Sequence, residues 1–176
     1  MSNSLIRKPA PSFSLEALVG KDFKTITLHD YKGKWVVLFF YPMDFTFVCP
    51  TELVSLNEHV SDFQQKNAIV LAASTDTVHS HLGWVKADAR LSNLKYPILA
   101  DVTKKLSHDY GVLLEEKGIA TRGTFIIDPE GIVRWVCIND LDVGRSVVEI
   151  LRVIDALQTG ELCPSDWSSG QKTLSS

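Results

Sequence analysis

Uninterrupted apolar runs and helical periodicity alternate in the first half of the chain. Residues 35–41 (WVVLFFY) and 68–74 (AIVLAAS) contain no charged side chain, which is typical of strands buried on both faces of a sheet. Between them, apolar residues recur at helical spacing over residues 51–65, and the proline just before this stretch suits a first helical turn. The pattern therefore predicts a strand, a loop, a helix and a second strand.

The second half continues this alternation and ends in a segment without periodicity. Its predicted elements are a helix over residues 77–90, a short strand over 96–101, a short helix over 103–111, a hairpin over 123–139 around the turn DPEG, and an amphipathic helix over 144–160. Because βαβ order followed by a hairpin suits a mixed central sheet with helices on both faces, we predict a single α/β domain. Residues 161–176 are rich in serine and are expected to form an extended or mobile tail.

Length and charge limit the possible functions. A chain of 176 residues is about the size of one domain with a single core. Its 18 basic and 21 acidic residues give a net charge of −3, which argues against a nucleic-acid partner or an anionic membrane surface. No apolar run approaches the roughly 18 residues of a membrane span, and the N-terminus lacks the apolar core of a signal peptide. We therefore expect a soluble, cytoplasmic protein.

The number and placement of the cysteines point to thiol chemistry. Cys49, Cys137 and Cys163 are an odd number in a chain without a recognisable export signal, which argues against a static disulfide framework. Cys49 precedes Pro50 at the predicted start of a helix, where free backbone N–H groups and the macrodipole stabilise an anion. A thiol there is expected to ionise readily and to be reactive. The alternative is a small apolar residue packed at a strand–helix junction.

The neighbours of Cys49 favour the reactive interpretation. Pro42, Thr46 and Glu52 lie on the same short segment, which a loop and a first helical turn can bring together into one pocket. Thr46 offers a hydroxyl, Pro42 can shield a thiolate from bulk water, and Glu52 can orient a cation. A nucleophilic thiol requires such groups around it.

No motif for a metal or an organic cofactor accompanies this segment. His79 and His81 are two residues apart on a predicted helix and point in different directions, and the other histidines are scattered. The chain contains no G-x-G-x-x-G and no C-x-x-C sequence, which argues against flavin, nicotinamide or dithiol chemistry within it. We expect no bound cofactor, so the electrons for a redox reaction must come from another protein.

Four segments carry a pattern that is specific for one family. They are residues 40–52 (FYPMDFTFVCPTE), 121–134 (TRGTFIIDPEGIVR), 139–158 (NDLDVGRSVVEILRVIDALQ) and 160–167 (GELCPSDW). With the arrangement P-x-x-x-T-x-x-C and a second Cys-Pro pair near the C-terminus, the chain resembles a typical two-cysteine peroxiredoxin of the alkyl hydroperoxide reductase/thiol-specific antioxidant family over nearly its whole length. The resemblance implies a thioredoxin-like fold, with a peroxidase domain over residues 1–160 and a C-terminal extension over 161–176.

The resemblance also implies roles for the residues around Cys49. Cys49 would be the peroxidatic cysteine, whose thiolate attacks a hydroperoxide, releases water or an alcohol and becomes a sulfenic acid. The Thr46 hydroxyl would bind both thiolate and peroxide, and Pro42 would shield them. Arg122 would stabilise the thiolate and the charge on the departing oxygen, although an arbitrary arginine is more often a solvated surface charge.

Three further residues receive roles in the same way. Glu52 would hold the arginines, and Arg145 would be a second arginine near the site, with an ordinary helix-start cation as the rival interpretation. Cys163 would be the resolving cysteine, which in the family comes from the partner chain, so a homodimer is part of the mechanism and a decamer ring is expected. The alternative for Cys163 is a thiol of the tail without a role.

The remaining expectations concern partners, regulation and the third cysteine. The family implies a hydroperoxide substrate and thioredoxin or a similar dithiol protein as reductant. Many eukaryotic members carry a G-G-L-G insertion and a C-terminal Tyr-Phe helix, and without them in this sequence we expect Cys49 to resist over-oxidation to sulfinic acid. A holdase chaperone or a redox relay is an alternative function, because the segment DFTFV and the ring-shaped oligomers of the family are compatible with either. Cys137 shares a predicted strand face with Val133 and Trp135 and is interpreted as a core thiol.

Overall fold

The computed structural model describes residues 4–175, and within that range seven strands form one mixed sheet in the order β2-β1-β5-β4-β3-β8-β9. Its strands are β1 (Ser14–Val19), β2 (Asp22–Thr27), β3 (Trp35–Phe40), β4 (Ala68–Ser74), β5 (Ile98–Ala100), β8 (Arg122–Ile127) and β9 (Val133–Asn139). The pairs β3–β4 and β4–β5 are parallel, and the other neighbours are antiparallel. Two short strands, β6 (Leu113–Leu114) and β7 (Ile119–Ala120), pair separately.

Helices cover both faces of this sheet, as predicted. They are α1 (Val48–Glu58), α2 (Val60–Gln65), α3 (Val78–Ala87), α4 (Lys105–Asp109) and α5 (Val147–Thr159). Successive residues of a strand point to opposite faces, so Val37 and Phe39 of β3 pack under α1, α2, α3 and α5, whereas Val36 and Leu38 face α4. No helix within residues 4–175 has both the length and the apolar composition to cross a membrane.

The predicted helix over residues 51–65 differs from the structure at its start and in its middle. The first helix begins at Val48, so Cys49 and Pro50 lie inside its first turn. Phe47 precedes it and makes no side-chain capping bond, so the usual sequence signal for a helix start is missing. At His59 the backbone leaves helical geometry, and α2 continues as a separate helix.

The N-terminal hairpin was not predicted from the sequence. Strands β1 and β2 pair over their full length through a turn that contains Gly20, whose φ of 64° is readily adopted by glycine. Most residues of β2 are exposed, and β2 forms one edge of the sheet. Its sequence therefore lacks the apolar run that identified the central strands.

The predicted hairpin of β8 and β9 is present, but its register alters the interpretation of Cys137. A bulge lies between the pairs Ile126–Trp135 and Ile127–Val133, and an extra residue reverses the facing of the strand beyond it. Val133 and Trp135 therefore pack on opposite faces. The prediction that Cys137 shares a face with both is wrong, and its thiol is half-buried on the edge strand rather than in the core.

Residues 161–175 contain no helix or strand, and of the two states predicted for the tail, extended or mobile, the extended one is wrong. Residues 161–175 fold through consecutive turns. Trp167 is only 4% exposed, and the Arg152 side chain on α5 donates to its carbonyl at 2.6 Å. Burial of one large ring gives a polar segment enough apolar area to fold.

Candidate active site

Cys49 lies in the first turn of α1 and is fully buried. The helix starts just after the loop that follows β3, so the sulfur lies at the carboxyl end of a central strand. The first turn of a helix has free N–H groups, which favour an anion at such a position. Pro42, in the same loop, is buried as well.

Arg122 brings a positive charge to the Cys49 sulfur. Strand β8 runs antiparallel to β3, with Thr124 opposite Phe39, so Arg122 reaches the end of β3 where the loop to Cys49 begins. Its Nη1 donates to Cys49 Sγ at 3.4 Å, and its Nε donates to the Leu141 carbonyl at 2.7 Å. Arg122 is 3% exposed, which excludes the interpretation of a solvated surface charge.

Glu52 joins two arginines beside the sulfur. It lies one turn after Cys49 on α1, and its Oε2 accepts from Arg122 Nη1 at 2.8 Å and from Arg145 Nη2 at 2.9 Å. Its Oε1 accepts from Arg145 Nε and from the Arg145 backbone N–H, both at 2.9 Å. All three side chains are at most 4% exposed.

Arg145 is therefore not an ordinary cation at a helix start. Its Nη1 donates to the Gly123 carbonyl at 2.8 Å, and its guanidinium carbon lies 3.2 Å from the ring centroid of Phe39. Burial lowers the pKa of Arg145, while its bonds to Glu52 oppose that shift. Two guanidinium groups and one carboxylate leave this buried cluster with one uncompensated positive charge, which a Cys49 thiolate would neutralise.

Thr46 occupies the predicted loop, but its hydroxyl makes no hydrogen bond to the Cys49 sulfur. Its hydroxyl donates to the Met43 carbonyl at 3.1 Å, whereas Cys49 Sγ accepts from Arg122. Because the hydroxyl has a single proton, the bond to Met43 stabilises the loop turn and leaves no proton to donate to the sulfur. A role of Thr46 toward a peroxide stays a prediction.

A buried polar cluster that sequence reasoning missed fixes this loop to α3. The Asp44 carboxylate accepts from Tyr41 Oη at 2.7 Å and from Ser80 Oγ at 2.8 Å, and His81 Nδ1 lies 2.8 Å from it. Burial, reinforced by the charge of Asp44, raises the pKa of Tyr41, so the phenol keeps the proton that it donates. The two partners from α3 are far from Asp44 in sequence, so only the folded chain brings them together.

Cys163 lies at the opposite end of α5 from the Cys49 cluster. Its sulfur is 3.5 Å from Thr159 Oγ1 and 3.7 Å from the Ala156 carbonyl. Arg145 precedes α5, and a helix of 13 residues spans about 20 Å. Cys49 and Cys163 are both free thiols here, and within one chain the structure does not bring them together.

Glu52→Gln should lower the free energy of unfolding by about 3 kcal/mol, because two buried guanidinium groups would lose the carboxylate that they share. Urea unfolding followed by circular dichroism measures the change. The matched control is Glu149→Gln, whose pair with Arg152 is 44% and 32% exposed and should contribute less than about 1 kcal/mol. Equal effects of the two substitutions would contradict this account of the cluster.

Comparisons with known proteins agree with the fold. The AhpC/TSA family matches residues 6–136. The chain is 50% identical over 181 residues to peroxiredoxin prdx-2 of Caenorhabditis elegans (99% of this chain, 90% of the relative), and 50% identical over 173 residues to a thioredoxin peroxidase of Fasciola hepatica (94% and 89%). The reduced 2-Cys peroxiredoxin of Plasmodium vivax superposes with a TM-score of 0.93 at 39% identity, over 96% of this chain and 92% of that chain. The predicted resemblance and the thioredoxin-like α/β fold are confirmed, and the chain belongs to the AhpC/TSA family, the peroxiredoxins.

Proposed function

We propose that this peroxiredoxin is a thiol-dependent peroxidase that reduces hydrogen peroxide and small organic hydroperoxides at Cys49. Relatives named thioredoxin peroxidase support the reaction class. The observation that carries the assignment is the buried cluster of Arg122, Arg145 and Glu52, whose uncompensated positive charge lies 3.4 Å from the Cys49 sulfur. A thiolate is the nucleophilic form of cysteine, and the cluster would supply its counter-charge.

In the first step the Cys49 thiolate attacks one peroxide oxygen. The S–O bond forms as the O–O bond breaks, and the electron pair of that bond leaves with the distal oxygen, which takes a proton and departs as water or an alcohol. Arg122 is placed to donate to an oxygen that gains negative charge next to the sulfur. Glu52 holds the Arg122 guanidinium in position, and Arg145 in turn holds Glu52.

In the second step Cys163 of the partner subunit condenses with the sulfenic acid. The S–S bond forms, water leaves, and thioredoxin or a similar dithiol protein reduces the disulfide by exchange. The position of Cys163 at the far end of α5 supports pairing between subunits rather than within one. A decamer ring, a cytoplasmic location and resistance to sulfinic acid stay predictions from the sequence.

Cys163→Ser should leave a single round of peroxide reduction and stop turnover. The sulfenic acid at Cys49 would form, but no disulfide-linked dimer would appear on a non-reducing gel after peroxide treatment. The matched control is Cys137→Ser, which should still give a dimer that dithiothreitol removes. A disulfide-linked dimer in the Cys163 variant would contradict the assigned role.

A coupled assay with thioredoxin, thioredoxin reductase and NADPH tests the function itself. No consumption of peroxide, either in this assay or with dithiothreitol as reductant, would overturn it.

A holdase chaperone is the second candidate, because Phe45 and Phe47 are 60% and 94% exposed on the loop before Cys49. Protection of a client protein that persists in Cys49→Ser would support it.

A further inference from the structure

The guanidinium group of Arg152 ties the tail to α5. Its Nη1 donates to the Trp167 carbonyl at 2.6 Å. Its Nε and Nη2 donate to the two oxygens of Glu149, at 2.6 Å and 2.8 Å. All three nitrogens are thus engaged, and this fork fixes the group more firmly than a single bond would.

The tail side of this contact is one folded unit around Trp167. The Trp167 backbone N–H donates to the Pro164 carbonyl at 3.2 Å, and its indole N–H donates to the Gln171 carbonyl at 3.0 Å. Cys163 directly precedes this unit. Release of the unit from α5 therefore removes the anchor on the C-terminal side of Cys163.

Arg152 and Cys163 also line the same open cleft of about 500 Å³. The pKa of Arg152 is raised, chiefly by its hydrogen bonds to Glu149, with smaller contributions that include Asp166 and Cys163. The Cys163 sulfur rests against Ala156 and Thr159 of α5, so it must leave these contacts to reach a sulfenic acid in another subunit.

We propose that Arg152 is a positioning residue of the resolving step: by holding the Trp167 unit on α5, it sets how often Cys163 is released toward the sulfenic acid. The inference rests on the proposed function, because it requires the Cys49–Cys163 disulfide. In that reaction the Cys163 thiolate attacks the sulfenic sulfur, the S–S bond forms as the S–O bond breaks, and hydroxide leaves and is protonated to water. The sulfenic acid is the oxidant, so no further reagent is needed.

Arg152→Met keeps the length of the side chain and removes its donors. Disulfide formation after a peroxide pulse should accelerate about three- to fivefold, as expected for a partly exposed charged contact. Oxidation of Cys49 to sulfenic acid should keep its rate. The peroxide concentration that produces a given fraction of sulfinic acid should rise by the same factor, because over-oxidation competes with resolution. Rapid acid quenching, non-reducing gels and mass spectrometry measure the three quantities.

Two variants and one control sharpen this test. Arg152→Lys keeps a single donor for the Trp167 carbonyl and should restore most of the original rate. Glu149→Gln keeps the bond to the tail but weakens the fork, and should accelerate resolution about twofold. The control is Arg90→Met, since Arg90 makes a similar exposed fork to Asp88 away from the tail, and it should change nothing.

The outcomes separate this inference from the proposed function. Unchanged or slower disulfide formation in Arg152→Met, with normal resolution in the unsubstituted protein, would overturn the role of Arg152 alone. If Arg152→Met does not fold, an unchanged rate in Glu149→Gln overturns it equally. No Cys49–Cys163 disulfide in the unsubstituted protein would overturn the assigned function of Cys163 and this inference with it.

Discussion

Cys49→Ser is expected to abolish peroxide-dependent oxidation of thioredoxin. A serine hydroxyl does not ionise near neutral pH, so the positive cluster of Arg122, Arg145 and Glu52 would face no anionic nucleophile. Removal of the attacking group from such a site lowers turnover by about 10⁴-fold or more. The buried position tolerates the change, since oxygen is smaller than sulfur and Arg122 can donate to it.

The coupled assay with NADPH measures this loss, and circular dichroism verifies that the variant is folded. Cys137→Ser is the matched control, because Cys137 is half-buried on the edge strand and its thiol donates to Asn139 rather than to Arg122, Arg145 or Glu52. It should retain full activity. Turnover of Cys49→Ser comparable to that control would remove Cys49 from the mechanism.

The second large effect is expected for Arg122→Met. Its guanidinium donates to the Cys49 sulfur. In the proposed function it would also stabilise the departing oxygen, and loss of one such donor costs about 10²- to 10³-fold in rate. Glu52 would keep Arg145 as its partner, so the fold should survive. Stopped-flow mixing with hydrogen peroxide measures the rate of Cys49 oxidation.

Alkylation of Cys49 by iodoacetamide separates the two roles of this arginine. Alkylation needs a thiolate but creates no charged oxygen. Arg122→Met should therefore slow alkylation less than it slows the reaction with peroxide. Arg134→Met is the control, because Arg134 pairs with Asp128 and is 39% exposed, at the other end of the hairpin. Equal rates of peroxide reaction in Arg122→Met and in the control would contradict the role of Arg122.

Sequence patterns were sufficient to predict the strands that are buried on both faces. Strand β3 is apolar at every position because both faces of it are covered, and β4 matches its predicted bounds, Ala68–Ser74. The helix after Thr77 was also predictable, since the Thr77 hydroxyl accepts from the Ser80 N–H as a regular cap. The edge hairpin of β1 and β2 was not, because solvent allows polar residues at most of its positions.

The sequence predicted which residues form the candidate site better than it predicted how they contact one another. The motif around Cys49 and the resemblance pointed to Arg122 and Glu52, which the structure brings together with the sulfur. Neither predicts the bulge that reorients Cys137, since a single inserted residue leaves the alternation of a short strand ambiguous. Nor do they predict the attachment of Asp44 to His81, because 37 residues separate them.

The attachment of Asp44 to α3 limits what transplantation of the motif can achieve. A segment identical to residues 40–52, inserted at the same place in an unrelated α/β protein, would carry Cys49, Thr46 and both prolines. It would lack the Ser80 hydroxyl and the His81 ring nitrogen, which hold Asp44 in this structure. Such a chimera should not reduce peroxide even if a scaffold helix supplied both partners, because Arg122 and Arg145 also lie outside the segment. The whole domain is therefore needed for this chemistry.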